Sequence, residues 1–354
     1  MPAILSETKQ NLLQDGTVIP AHPLALDSQR HLDEKYQRAL TRYYIDSGVG
    51  GIAVGVHTTQ FEIRRPEFNL YEPVLRIASE EVDMSGAANH LLRIAGVCGS
   101  TADAVREAQT ASRLGYDLAL LSMGGLPELT ESQLLERTSV ISQILPVFGF
   151  YLQPSAGGRI FSYEFWRKFA EIENVLAIKT APFNRYCTLD VIRAVCSSSR
   201  RESIAIYTGN DDNIIADLLT TYRFIVNGKI VEKDIVGGLL GHWAVWTSRA
   251  VELLESIKAH KKSDSPIDPD WLTLNIQTTD ANAAFFDPAN AFRGCISGIH
   301  EVLRRQGLMA NILCLSENER LSPGQLDEID RVYHDYPDLN DDSFVRKNLK
   351  KWLG

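Results

Sequence analysis

No run in this sequence approaches the roughly 18 apolar residues that a membrane-spanning helix requires. The N-terminus, MPAILSETKQNLLQDG, has no basic segment followed by an apolar one, so it does not read as a secretory signal. Cysteine is sparse: Cys98, Cys187, Cys196, Cys295 and Cys314 are five in number and include no Cys-x-x-Cys pair. An odd, scattered set argues against a disulfide framework and for reduced thiols. The eight histidines show neither His-x-His nor His-Glu-x-x-His spacing, so a catalytic zinc is not expected. Positive charge is in deficit, with 36 Lys and Arg against 45 Asp and Glu and a formal net charge of -9. The basic pairs Arg64-Arg65, Arg200-Arg201, Lys261-Lys262 and Arg304-Arg305 are scattered. Without a basic stripe to displace phosphate counterions, nucleic acid is excluded as a partner. The expectation is a soluble, cytoplasmic protein that needs no cofactor.

What is present is an alternation of short apolar runs with longer amphipathic stretches. Strands are predicted at Thr17–Pro20, Gly51–Val56, Leu92–Val97, Leu118–Ser122, Pro146–Tyr151, Val175–Lys179, Ile204–Thr208 and Ile235–Leu239. Each is apolar on both faces, as suits a parallel strand covered on both sides. Helical spacing fills Leu32–Ser47, Thr101–Leu114, Thr130–Leu145 and Ser162–Ile172, with Ser100 placed to cap the second. Eight strands alternating with helices predict an α/β fold, a (β/α)8 TIM barrel. A doubly wound sheet would more often carry a Gly-rich phosphate loop after its first strand, and none is present. Residues 1–260 are read as the barrel catalytic domain. His260–Pro269 reads as a linker, and 261–354 as a C-terminal helical extension with helices over Asp287–Gln306, Ser322–Tyr333 and Asp341–Leu353. Ser322 before Pro323 is read as a helix cap.

In such barrels the chemistry sits at the C-terminal ends of the strands. Lys179 ends the sixth apolar strand, where desolvation lowers an amine's pKa and frees its lone pair to attack a ketone. A lysine that snorkels to solvent fits strand position equally well. Tyr151 ends the preceding strand as a candidate proton shuttle, or else a rim aromatic. Thr58 and Thr59 offer hydroxyls and backbone N–H groups to a carboxylate. His57 and His242 stand as acid–base or hydrogen-bonding groups, or as satisfied rim residues. Trp243 suggests an apolar wall, and Asp211 and Asp212 read as helix caps.

These features resemble the dihydrodipicolinate synthase / N-acetylneuraminate lyase family over roughly Gly16 to His260. The resemblance rests on the loop His57–Gln60, the turn Ala95–Ser100, the Tyr-x-x-Pro-Ser-x-x-Gly loop Tyr151–Gly158, the Ile178-Lys179 strand end and Thr208–Asp211. Lys179 follows Tyr151 by 28 positions, as in that family. It implies a class I Schiff-base lyase or aldolase acting on pyruvate or another 2-oxo acid and an aldehyde. Lys179 would form the imine, Tyr151 relay protons, and Thr58 and Thr59 hold the keto-acid carboxylate. It also implies a homodimer or homotetramer. The departures are equally specific. Ala156 stands where the synthases carry an arginine, and Ser122–Leu126 lacks their tyrosine pair. A true dihydrodipicolinate synthase is therefore not expected. His242, Trp243 and Phe183 instead suggest a wall for a less charged aldehyde. The rival readings are a metal-dependent aldolase on the same barrel and a non-catalytic 2-oxo-acid sensor.

Overall fold

The short runs apolar on both faces become strands because each is buried twice, against the barrel interior and against the surrounding helices. A computed structural model describes residues 4–263 and 265–354. Its strands are β1 (Val18–Pro20), β2 (Gly51–Val54), β3 (Leu92–Val97), β4 (Leu118–Ser122), β5 (Val147–Leu152), β6 (Val175–Ala181), β7 (Ala205–Thr208), β8 (Thr221–Val226) and β9 (Lys229–Leu240). All but β8 pair in parallel in the order β1-β9-β7-β6-β5-β4-β3-β2. A parallel bridge between Ala21 and Ala53 brings the two ends of that order together, which makes the barrel. The eight predicted strands are all present, seven with ends that differ by two residues at most, while Ile235–Leu239 is the C-terminal half of β9, which begins at Lys229. No helix among the described residues is long and apolar enough to cross a membrane.

Side-chain alternation divides the core into two layers. Phe148, Phe150, Ala177, Tyr207 and Leu239 fill the barrel. Val147, Tyr151, Ile178 and Ile206 face the helices. The helices begin where the sequence supplies caps: Ser100, Thr130 and Ser162 each accept a backbone N–H from three residues on.

Four features differ from the sequence reading. Strands β8 and β9 form an antiparallel hairpin whose turn, Asn227-Gly228, holds φ at 51° and 76°. That is the Asn-Gly signature of a two-residue hairpin, present in the sequence and overlooked. The helix Thr247–Lys262 runs through His260, and a helix at Asp270–Phe286 follows, so residues 263–269 alone separate the two. Asp287–Phe292 is a strained turn, and the helix after it spans Cys295–Arg305. Ser322 is not a cap: Gly324 precedes the helix Gln325–Asp335, while Ser322 Oγ donates to Asp287 Oδ2 at 2.5 Å.

Candidate active site

Lys179 lies near the C-terminal end of β6, and its register decides what it meets. In a parallel pair, residues opposite one another point to the same face. Phe150 pairs with Lys179, and Tyr151 pairs with Thr180. Phe150 and Lys179 therefore share the barrel interior, with the ammonium 4.5 Å above the Phe150 ring. Tyr151 turns outward, packed 4.9 Å from Trp166 and 5.7 Å from Phe161. Its hydroxyl accepts the Phe161 N–H at 3.3 Å, and burial, then Cys187, holds its pKa well above the ordinary phenol value. The predicted relay tyrosine is thus not brought to the lysine. The spacing of 28 positions places two residues on neighbouring strands but does not say which face either one takes.

Lys179 is 8% exposed, and burial lowers its pKa to about 8, with Asp211 pulling the other way. Its stem crosses the turn after β7, where Gly209 makes room: a Cβ there would fall 2.3 Å from Lys179 Cε. The fully buried carboxylate of Asp217 pins this turn, accepting from Thr208 Oγ1 at 2.7 Å and Asn210 Nδ2 at 3.0 Å. The next residue, Asp211, enters the cavity. It caps no helix; Oδ1 accepts the His242 N–H at 2.8 Å. Burial raises the Asp211 carboxyl to about 7, against the opposing pull of Lys179. A buried amine and a buried carboxyl lining one cavity each keep part of their neutral form near neutrality, as imine chemistry requires.

His57 and Thr58 also line this cavity of about 280 Å³. Burial, then the Lys179 charge, pushes His57 down to about 4, so it is a neutral imidazole. Thr58 Oγ1 donates to Ala21 O at 2.7 Å. Thr59 is absent from the lining: its hydroxyl donates to His22 O at 2.6 Å and accepts the N–H groups of Gly55 and Val56. With those bonds it serves the turn rather than a ligand. His242 and Trp243 are not in the cavity either. His242 stacks on Phe285, 5.8 Å between ring centres, and Trp243 fills the space that a Cβ on Gly238 would take. Both line a separate hollow of about 480 Å³ beside the helix Thr247–Lys262.

The outer wall comes from the C-terminal part of the chain. Phe286, Ala291, Phe292, Arg293, Cys295 and Glu319 all line the cavity, and Phe292 meets Phe183 edge-on at 5.8 Å. Burial raises Glu319 to about 7. These residues were missed because nothing in their local sequence ties them to a strand end more than a hundred positions earlier. The one local signal was Asp287-Pro288, a turn start read as helix.

Fold and site together define a (β/α)8 barrel with a desolvated lysine at the end of its sixth strand, faced by a buried acid. A model of the Dihydrodipicolinate synthetase family matches residues 15–222. That is more than half of the chain, and the protein belongs to this family. A 4-hydroxy-tetrahydrodipicolinate synthase from Acaryochloris marina (strain MBIC 11017) is 26% identical over 210 residues, covering 57% of this chain and 67% of the relative. Among solved structures, dihydrodipicolinate synthase from Oceanobacillus iheyensis superposes with a TM-score of 0.71 at 16% identity, covering 93% of this chain and 99% of that one. N-acetylneuraminate lyase from Fusobacterium nucleatum complexed with pyruvate gives 0.69 at 19%, covering 92% and 99%. At these identities the structural likeness speaks for the fold.

Proposed function

We propose that the protein is a class I lyase or aldolase that forms an imine between Lys179 and pyruvate or another 2-oxo acid. The observation that carries this reading is the buried Lys179 amine, with its pKa lowered to about 8, in a cavity shared with Asp211. The neutral amine attacks the C2 carbonyl to give a carbinolamine. Asp211, in its acid form, protonates the departing hydroxyl, which leaves as water, and the iminium remains. With a 4-hydroxy-2-oxo acid bound, the Asp211 carboxylate left by that step takes the C4 hydroxyl proton, the electron pair of the C3–C4 bond passes into the iminium, and an aldehyde departs to leave an enamine. Protonation at C3 and hydrolysis return the 2-oxo acid and the free amine. Condensation is the same sequence reversed. Asp211 takes the place that the sequence reading gave to Tyr151, because the phenol lies in the outer layer. In this reading neutral His57 and the Thr58 N–H, at residues that line the same cavity, hydrogen-bond the keto-acid end. A homodimer or homotetramer is part of the reading and follows from the family alone.

The reaction we infer is not dihydrodipicolinate synthesis. Ala156 leaves the loop after β5 without a guanidinium, and Arg159 is turned away, donating to Leu129 O at 2.8 Å. The test is turnover of pyruvate with aspartate semialdehyde beside a panel of other aldehydes. Activity should be weak with the semialdehyde. Efficiency with it equal to that of the best alternative contradicts this part of the reading.

One observation favours a second reading. Phe150 occupies the inner position beside Lys179, so the site has no phenol there. A protein that binds a 2-oxo acid at Lys179 without turnover, a sensor, is consistent with that. Imine trapping with no steady-state turnover of any aldehyde separates it from the enzyme.

A further inference from the structure

We propose that Arg293 sets which acids this site accepts, its guanidinium gripping the far carboxylate of a 2-oxo diacid whose keto end reaches Lys179. The orientation rests on the function proposed above; the grip itself does not.

The cavity is polarised along its length. Its inner end is the buried amine over Phe150. Its outer end is Arg293, which is exposed at the mouth and also part of the lining. Among the described residues, the Arg293 side chain makes one hydrogen bond, from Nε to Asn290 O at 3.3 Å, and no carboxylate lies within ion-pair distance. Its two Nη groups are thus left for a ligand, and a planar fork matches a carboxylate in two-point geometry. Between the two ends the walls are apolar, built from Phe183, Phe286 and Phe292. A neutral chain gains contact along these walls but nothing at Arg293. A chain ending in a carboxylate gains both.

The backbone that presents Arg293 is built for the task. Asp287, Ala291 and Phe292 hold φ at 56°, 55° and 63°. Left-handed backbone costs non-glycine residues about 1–3 kcal/mol each, and it persists only where the surroundings over-determine it. The Asp287 carboxylate supplies that constraint, accepting from Asn290 Nδ2 at 2.6 Å, Gly294 N at 3.2 Å and Ser322 Oγ at 2.5 Å. Across the mouth, Phe183 is left-handed too, at 49°, and meets Phe292 edge-on. Strain of this kind in the turn that carries Arg293, a residue of the cavity lining, points to a ligand-binding role.

The acid at this end does not cancel the arginine. Glu319 hydrogen-bonds to Ile296 N at 3.2 Å, and burial raises its carboxyl to about 7, so near neutrality it is partly protonated. Arg293 lies in the turn before the helix Cys295–Arg305 rather than on the β5 loop, so it does not restore a guanidinium at Ala156.

Calorimetric titration of the intact protein tests this with two acids of equal carbon number, 2-oxoadipate and 2-oxohexanoate. It detects binding whether or not an imine forms. The wild type is expected to bind the diacid about tenfold more tightly, the scale of one charge-assisted contact at a partly exposed site. Arg293→Gln, a surface change that leaves the fold intact, is expected to bind the two acids alike. Equal binding by the wild type, or a preference that survives in Arg293→Gln, overturns the proposal. Borohydride trapping of both acids on the wild type is read separately. A diacid preference without trapping at Lys179 would refute the imine while leaving the grip standing. Trapping without preference would do the reverse.

Discussion

Replacing Gly209 with alanine adds one methyl group where the Lys179 stem must pass. The new Cβ would lie 2.3 Å from Lys179 Cε, 2.9 Å from Lys179 Cγ and 2.7 Å from Ala181 Cβ. Carbon atoms rest at about 3.5–4.0 Å, so the closest contact must open by more than about 1 Å. Gly209 is not left-handed, so alanine can take up its backbone conformation, and the effect is one of space alone. Either the lysine leaves its path or the end of β7 shifts. Overpacking of this kind costs about 1–3 kcal/mol of stability, a shift of a few degrees in Tm for a chain of this size. The chemistry should suffer more, because a reacting group displaced by about 1 Å loses on the order of 100-fold in rate. The assay pairs a thermal melt with the initial rate of pyruvate trapping by borohydride. A Gly209→Ala protein that traps pyruvate within a few-fold of the wild-type rate refutes the idea that this glycine exists for the lysine.

Tyr151→Phe should leave turnover within a few-fold and lower stability by about 1 kcal/mol, since the Phe161 N–H loses its acceptor. A 100-fold loss of rate would instead put the phenol in the site. The lysine predicts a stability change with pH. Its folded pKa, about 8, lies below the value of 10.5 for an unperturbed lysine, so across that window the unfolded chain holds a proton the folded chain has lost. Unfolding free energy should therefore gain from this group as pH rises from 8 to 10.5. Lys179→Met should lack that gain in urea titrations, and an unchanged pH dependence contradicts the assignment. Asp211 has the opposite sign: its carboxyl is raised from 3.8 to about 7, so stability should fall as pH climbs through that range. Asp211→Asn keeps an acceptor for the His242 N–H and should be more stable relative to the wild type at pH 7.5 than at pH 4; the reverse order would mean that Asp211 is ionised throughout.

The barrel was legible because each strand is buried on both faces, and a short run apolar throughout has few other uses. Lys179 was legible for the same reason, as the one charge closing such a run. The face of Tyr151 was not. It turns on which of Phe150 and Tyr151 stands opposite Lys179, and in Val147–Leu152 both are aromatic, so composition does not choose between them. The pairing of Phe150 with Lys179 makes the choice. Asp211 read as a cap because Asp before an apolar helix usually is one; here the nearby helix is preceded by Asn213, and the carboxylate holds the turn after β9 instead. His242 and Trp243 were placed by their position after a strand end, which locates a residue along the barrel axis but does not say whether its side chain faces the interior. Arg293 and Glu319 lay beyond local reasoning altogether, since a wall built by a distant turn leaves no pattern at the strand ends it covers.

The central claim is a covalent bond between Lys179 and a 2-oxo acid. It is tested most directly by incubating the intact protein with pyruvate and borohydride, digesting it, and locating the added mass by tandem mass spectrometry. The account predicts a single reduced adduct on Lys179, formed fastest between about pH 7 and 8, where the Asp211 carboxyl is still partly protonated and the amine partly neutral, and absent from Lys179→Arg. An adduct on another lysine, or none with pyruvate or any longer 2-oxo acid, would contradict it.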